Sequence, residues 1–360
     1  MNTGFLRLST ILTVFTDIKK QNMKKILVTG GAGFIGSNLL KCLLQKKYFV
    51  INVDKISYSS NPYNLKNLNK NKNYIFFKVD LNNKKKITQI LNKYNPDAIF
   101  NLAAETHVDR SIDDPKSFIL SNILGTYNLL ESIREYEKKI KLIHISTDEV
   151  YGDLIKGRSD EKFPYNPSSP YSSSKASADH LVRAYVRTYK IQAIISNCCN
   201  NYGPFQFPEK LIPKIIFNII NKKPIPIYGK GKNSREWMHV KDHCEALIKI
   251  YLKGKVGESY NVGSGINIKN IDIAKKLIKI AKKKYLKIDK KVKIKFVKDR
   301  PGHDIRYALD NRKILKELGW KSKISLNAGL SKTFDWYLKN QIFFDSVSKK
   351  LYINRLGLKI

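Results

Sequence analysis

Paired cysteines are what this sequence most plainly lacks. Its four cysteines, Cys42, Cys198, Cys199 and Cys244, follow no repeating spacing and two of them are chain neighbours, which argues against the disulfide framework of a small secreted scaffold. Reduced thiols, and a cytoplasmic location with them, are the expectation. Cys198, Cys199, His243 and Cys244 lack the two short ligand pairs of a zinc site, so packing is their expected role and no metal is expected. Long apolar runs are also missing. The stretch from Phe5 to Phe15 is too short to span a bilayer and is broken by Arg7, so no membrane partner is expected. Residues 1–22 read as an extension outside the fold, ahead of a strand that starts abruptly after Met23, as an upstream, misassigned start codon would produce. Acidic residues are scarce, 30 against 67 Lys and Arg, for a net charge of +37. A nucleic-acid binder would gather that charge on one face with aromatic residues between. Here lysines are spread along the whole chain, in runs such as 84–86 and 282–284, so a solvated surface and no nucleic-acid partner are expected. Such a surface still attracts a phosphorylated ligand, less strongly as salt rises.

With 360 residues, 42% of them hydrophobic, the chain can bury a large core and divide into two lobes. From Met23, apolar strand candidates at 25–29, 49–54, 74–79, 98–102, 141–146 and 191–196 alternate with helical patterns at 36–45, 87–94 and 117–136. Continuous apolar strands separated by helices predict an α/β fold, a Rossmann-type doubly wound parallel sheet covered on both faces. After about Asn200 the rhythm changes. Prolines recur at 204, 208, 213, 224 and 226, strand candidates shorten to 225–228 and 260–262, and helical patterns fall at 211–221, 242–252, 271–284 and 312–318. The expected organisation is a dinucleotide-binding domain at 23–200 and a smaller carboxy-terminal α/β substrate lobe at 201–345, with a soft border the chain can recross, and a tail at 346–360.

A glycine-rich turn, Thr29-Gly-Gly-Ala-Gly-Phe-Ile-Gly36, leaves the first strand and opens a helix. Gly30 permits a tight turn, Gly33 lets backbone approach a pyrophosphate, and Gly36 lets helix and sheet sit close. Helix amides and dipole then face the phosphates. Asp54, ending the second strand, can accept from the ribose hydroxyls and repel a 2'-phosphate, which selects NAD over NADP, with the cation of Lys55 beside it. Asp80 after the third strand is placed at the adenine side.

Thr147, Asp148 and Glu149 put a hydroxyl and two adjacent carboxyls where a strand meets a loop. Carboxyls side by side in a pocket drive their pKa values apart, giving one acid and one base at the same pH, which suits elimination of water. Tyr171 and Lys175, four residues apart, share one face of a helix. An ammonium there is expected to lower the phenol pKa, so that tyrosinate can take a hydroxyl proton while hydride leaves the same carbon, with Thr147 bonding that hydroxyl.

Together with the glycine turn, these residues resemble the extended short-chain dehydrogenase/reductase family and, within it, the nucleotide-sugar 4,6-dehydratases. The likeness runs from Met23 to about Trp336. It is carried by Asn-Leu-Ala-Ala-Glu-Thr-His at 101–107, Ser-Thr-Asp-Glu-Val-Tyr-Gly at 146–152, Pro-Tyr-Ser-Ser-Ser-Lys-Ala at 170–176, Asn-Cys-Cys-Asn-Asn-Tyr-Gly-Pro at 197–204, Glu-Lys-Leu-Ile-Pro at 209–213, Arg-Glu-Trp at 235–237 and Asp-Arg-Pro-Gly-His-Asp at 299–304. The resemblance implies NAD as cofactor, dTDP-glucose as substrate and a homodimer. It makes Tyr171 the base that starts oxidation at C4, Lys175 its tuner, Thr147 the positioning group, Glu149 the base at C5 and Asp148 the acid at the C6 hydroxyl. Ala103, Ala104 and Ser121 join Gly30, Gly33, Phe34, Ile35, Gly36, Asp54, Lys55, Asp80, Leu81, Tyr171 and Lys175 along the NAD site. Thr106, Thr147, Asn200, Arg235, Asn270 and His303 fall to the nucleotide sugar, Arg235 as a fork for the diphosphate. His107 and His144 are expected to pack. A UDP-sugar 4-epimerase or decarboxylase begins from the same C4 oxidation and is the alternative reading, with a non-catalytic NAD-sensing or nucleic-acid-binding protein behind it.

Overall fold

The computed structural model describes residues 23–285, 288–353 and 356–357. The extension expected at 1–22 lies outside the described residues. Twelve strands follow in chain order: β1 Lys25–Thr29, β2 Phe49–Asp54, β3 Tyr74–Lys78, β4 Ala98–Asn101, β5 Lys141–Thr147, β6 Ala193–Cys198, β7 Asn200–Tyr202, β8 Ile225–Tyr228, β9 Ser234–His239, β10 Ser259–Val262, β11 Asn267–Lys269 and β12 Ile294–Val297. The longer helices are α1 Phe34–Gln45, α2 Lys84–Tyr94, α3 Val108–Asp113, α4 Gly125–Arg134, α5 Pro170–Tyr189, α6 Leu211–Ile220, α7 Val240–Lys253, α8 Asn270–Tyr285, α9 Arg312–Leu318 and α10 Leu326–Lys339.

Seven strands form one sheet in the order β10-β6-β5-β4-β1-β2-β3, and every neighbouring pair in it is parallel. Its strands are apolar on both faces because both faces are covered. Ile26 and Val28 of β1 point into a core with Leu39, Leu40 and Leu43 of α1 and Leu247 and Ile250 of α7. Leu27, between them, points the other way, toward Ile87 and Leu91 of α2, Leu129 and Leu130 of α4 and Val182 of α5. A third core gathers Tyr202, Ile212, Ile216, Trp237, Leu277, Leu330, Phe334 and Phe343 around two small sheets, β11-β9-β7 and β12-β8. The chain recrosses between these bodies: β10 and α7, though late in sequence, complete the large sheet and its cover.

Two differences from the sequence reading bear on the site. The helix expected over 117–136 is interrupted by a π-helical stretch, Ile119–Leu124, ahead of α4. The wider turn carries Ser121 and Asn122 inward, where Asn122 bonds Glu105 and Ser174, in keeping with the place of π turns at functional sites. Strands β7, β9, β11 and β12 were not anticipated. In β9 the buried residues include Arg235 and Glu236, whose charges break any apolar pattern.

Candidate active site

The carboxyl ends of β1, β2, β4 and β5 open on a long crevice, where a sheet of this winding binds ligands. Its first part is lined by every residue assigned above to the cofactor, and by Thr106, Thr147, Asp148, Glu149 and Asn200. A second part is lined by Arg235, Asn270 and His303, with Asp109, Tyr228, Trp237, Arg300 and Tyr307. Glu149, Asn200, Glu209 and Lys210 line both parts, so the two form one passage with Glu149 at the junction.

The cofactor end fits a dinucleotide on backbone geometry alone. Gly30 has φ +71°, and a Cβ there would lie 2.7 Å from the Ala103 nitrogen. At Gly36 a Cβ would sit 2.2 Å from the Gly30 carbonyl oxygen. Gly33 takes the N-cap position of α1 with no side chain capping the helix, which leaves its first amides for an anion. The Asp54 carboxylate accepts from Ala32 N (2.9 Å), Ile56 N (2.7 Å) and Ser60 Oγ (2.9 Å), so it is oriented by the protein. Burial raises its pKa and those donors hold the rise back. Lys55 donates to Ser121 Oγ at 2.6 Å and lies 3.6 Å from Glu105 and 3.9 Å from Asp80.

β5 delivers the reacting groups. Thr147, its last residue, caps the short 3-10 turn Asp148–Tyr151 by accepting from Glu149 N at 3.3 Å. The same hydroxyl reaches Asp148 Oδ1 at 3.3 Å, while Asp148 Oδ2 is buried with no partner among the described residues. Burial, then the neighbouring Glu149 charge, pushes the Asp148 carboxyl well above its ordinary range. Burial also raises Glu149, but Arg300, Arg235 and Lys210 oppose it there. Arg235 opposes the rise at both acids, whereas Arg300 and Lys210 oppose it at Glu149.

A capping box on Ser169, followed by Pro170, starts α5 immediately before Tyr171. Tyr171 and Lys175 are both buried and line the cleft. Burial and the Glu149 charge push Tyr171 well above its ordinary range, with a Thr147 hydrogen bond opposing them. The Lys175 Nζ donates to the Ile145 carbonyl at 2.7 Å.

In the second part of the passage, Arg235 donates to the carbonyls of Ser234 (2.9 Å) and Asp304 (2.8 Å) and stacks 4.1 Å over Tyr307 while lining the passage wall. Arg300, overlooked in the sequence, donates to Asp109 at 2.8 Å and has an unpartnered Nε. Asn200 and Asn270 each present an unpartnered carbonyl oxygen. His303 bonds Asp299 at 2.6 Å, and burial lowers its pKa to about 4. Lys210 and Glu209 were also missed as site residues. Lys210 donates to the Thr106 carbonyl at 2.7 Å, and Glu209 accepts from Arg110 at 3.0 Å and Tyr58 at 3.1 Å. Their signal was a charged pair at the head of an apolar, proline-containing run. His107 lines the passage beside Glu209, whereas His144 lies wholly buried on β5 within the sheet. No group of His, Cys, Asp and Glu suited to a metal occurs among the described residues.

Fold and cleft together define a Rossmann-type dinucleotide-binding protein of the extended short-chain dehydrogenase/reductase class. Residues 27–333 match the profile described as GDP-mannose 4,6 dehydratase, and the chain belongs to that family. It is similar to a dTDP-glucose 4,6-dehydratase of Neisseria meningitidis, 46% identical over 354 residues that cover 93% of this chain and 99% of the relative. Among solved structures, the dTDP-glucose 4,6-dehydratase of Bacillus anthracis in complex with NAD superposes with a TM-score of 0.82 at 41% identity, covering 90% of this chain and 100% of that one. The UDP-glucose 4-epimerase of Thermotoga maritima gives a TM-score of 0.80 at 30% identity, covering 88% and 99%.

Proposed function

We propose that this protein is an NAD-dependent hydro-lyase that converts dTDP-glucose to dTDP-4-keto-6-deoxyglucose. The observation that carries this is the pair Asp148 and Glu149, adjacent at the junction of the two parts of the passage, with Asp148 held toward its protonated form and an oxygen free of protein partners. The sequence relatives and the bound structures named above support the cofactor and the sugar nucleotide. The glycine turn, α1 amides, Asp54 and Lys55 hold NAD, and Arg300, Lys210, Asn200 and Asn270 hold the sugar nucleotide. NAD, once bound, supplies reversible hydride transfer, taking hydride at C4 and returning it at C6, and a positive charge that joins Lys175 in favouring tyrosinate. Tyr171 takes the C4 hydroxyl proton while Thr147 bonds that oxygen. The C4 ketone makes the C5 hydrogen acidic, and Glu149 removes it. Asp148 gives its proton to the C6 hydroxyl, which departs as water, and Glu149 returns a proton to C5 as C6 is reduced. The net change is loss of one water.

No helix among the described residues is long and apolar enough to cross a membrane, and the protein works in the cytoplasm in this reading. A homodimer belongs to the same proposal. Ile119, Leu120, Leu124 and Tyr127 are 53%, 41%, 39% and 41% exposed on one stretch beside α4, an apolar face of the kind that a second copy covers. The test of the activity is incubation of the protein with NAD and dTDP-glucose. A product one water lighter, with a C4 carbonyl, is expected. An intact dTDP-glucose, or turnover of UDP-glucose to its C4 epimer instead, overturns the reading.

A further inference from the structure

Behind the catalytic helix lies a charge that the reaction does not touch. Asp179 is one turn after Lys175 on α5 and wholly buried. Its Oδ2 accepts from Ser146 Oγ at 2.7 Å and from Tyr165 OH at 3.0 Å. Its Oδ1 lies 3.4 Å from His144 Nε2. His144 Nδ1 stands 3.1 Å from the Asn101 amide nitrogen, which can only donate, so the ring proton sits on Nε2 and faces the carboxylate. Asn101 accepts from Thr29 Oγ1 at 2.6 Å, and Thr29 accepts from Ala103 N at 3.2 Å. A single-direction chain thus runs from the backbone of the cofactor cleft to Asp179, through side chains that are all sealed from solvent.

An ammonium as deeply buried as Lys175 needs a counter-charge, because burial favours its neutral form. Among the described residues, the groups that face it are Asp179 on its own helix, His144 and the Ile145 carbonyl on β5, and Cys198 on β6. Burial lowers His144 and so keeps it neutral, and raises the Cys198 thiol to about 12. Only Asp179 carries charge at neutral pH. Burial alone would raise its pKa, yet His144, Lys175 and the Ser146 hydroxyl outweigh that and leave it lowered.

We infer that Asp179 is a positioning residue for the reaction: its buried carboxylate, oriented by His144, Ser146 and Tyr165, keeps the Lys175 ammonium charged at the active site. This rests on the dehydratase reading for its assay but not for its physics. The experiment compares Asp179→Asn with Asp179→Glu and Tyr165→Phe, each assayed for loss of water from dTDP-glucose across pH with melting curves alongside. In Asp179→Asn the alkaline limb of kcat/KM is expected to move down by about one unit, the order of magnitude for loss of a nearby opposite charge. Asp179→Glu returns the limb toward the wild type, and Tyr165→Phe, which loses a hydrogen bond but no charge, leaves it in place. A folded Asp179→Asn with the wild-type limb overturns the proposal, as does a Tyr165→Phe that moves the limb as far. Should Asp179→Asn fail to fold, the pair Asp179→Asn with Lys175→Met, which removes both charges, is expected to fold and melt above the single variant. A double variant that melts no higher overturns the proposal. If wild type leaves dTDP-glucose intact, it is the dehydratase reading that fails, and the melting comparison still decides the charge pairing.

Discussion

Asp148 carries a carboxyl whose ionised form the fold resists. Its pKa is raised well above 3.8, with burial the largest cause and Glu149 the next. A raised folded-state pKa means the unfolded chain releases the proton first as pH climbs, so the residue costs stability from about pH 3.8 upward until its folded pKa is passed. Asp148→Asn removes that cost and keeps an oxygen for the Thr147 hydroxyl. The variant is expected to melt above the wild type at neutral pH and level with it below pH ~3.8, as calorimetry would show. Its dehydration is expected to slow by roughly 10²–10⁴-fold, the usual contribution of a positioned acid, while oxidation at C4, read as NADH absorbance, persists. A variant that loses stability at neutral pH would place the carboxylate in an unrecognised ion pair. The acids themselves were legible in the sequence, since adjacent carboxyls at a strand end are rare without purpose. Their order of protonation was not, because it depends on Arg300, Lys210 and Arg235, which arrive from segments far along the chain.

The element that decides cofactor binding is the turn from β1 into α1. Gly36 is pinned by backbone, its missing Cβ 2.2 Å from the Gly30 carbonyl oxygen, so no side-chain rotation relieves an added methyl. Gly36→Ala is expected to push α1 off the turn, with overpacking of the order of 1–3 kcal/mol. The measurement is NAD titration by tryptophan quenching together with a melting curve; unchanged NAD affinity would contradict the fit argued for the loop. This turn and the strands around it were readable because apolar periodicity and glycine spacing are local signals. Of the small sheets, only β8 was. β9 buries Arg235 and Glu236, the latter held by Arg158 and by Gly265 N at 2.9 Å, so a strand that hydropathy reads as polar is in fact interior. The π-helical stretch likewise has no local mark: Asn122 turns inward because Glu105 and Ser174 are there to receive it.

For the whole molecule, surface and assembly are the remaining questions. The +37 charge is spread along the chain, and a positive field of that size draws in a diphosphate without selecting one. The apolar stretch Ile119, Leu120, Leu124 and Tyr127 brackets Ser121 of the cleft wall in sequence. Replacing Leu120 and Leu124 together by Glu is expected to convert the proposed dimer to a monomer in light scattering. A wild type already monomeric at micromolar concentration would remove that part of the proposal.

The place of β10 has an effect during synthesis. Because Ser259–Val262 pairs with β6, and α7 roofs the strands laid down first, the nascent chain exposes an unfinished edge and an uncovered greasy face until more than half of it has left the ribosome. The cofactor compartment therefore matures last-strand-in, and a protein cut at residue 200 would emerge as a sticky fragment rather than as a free-standing NAD module.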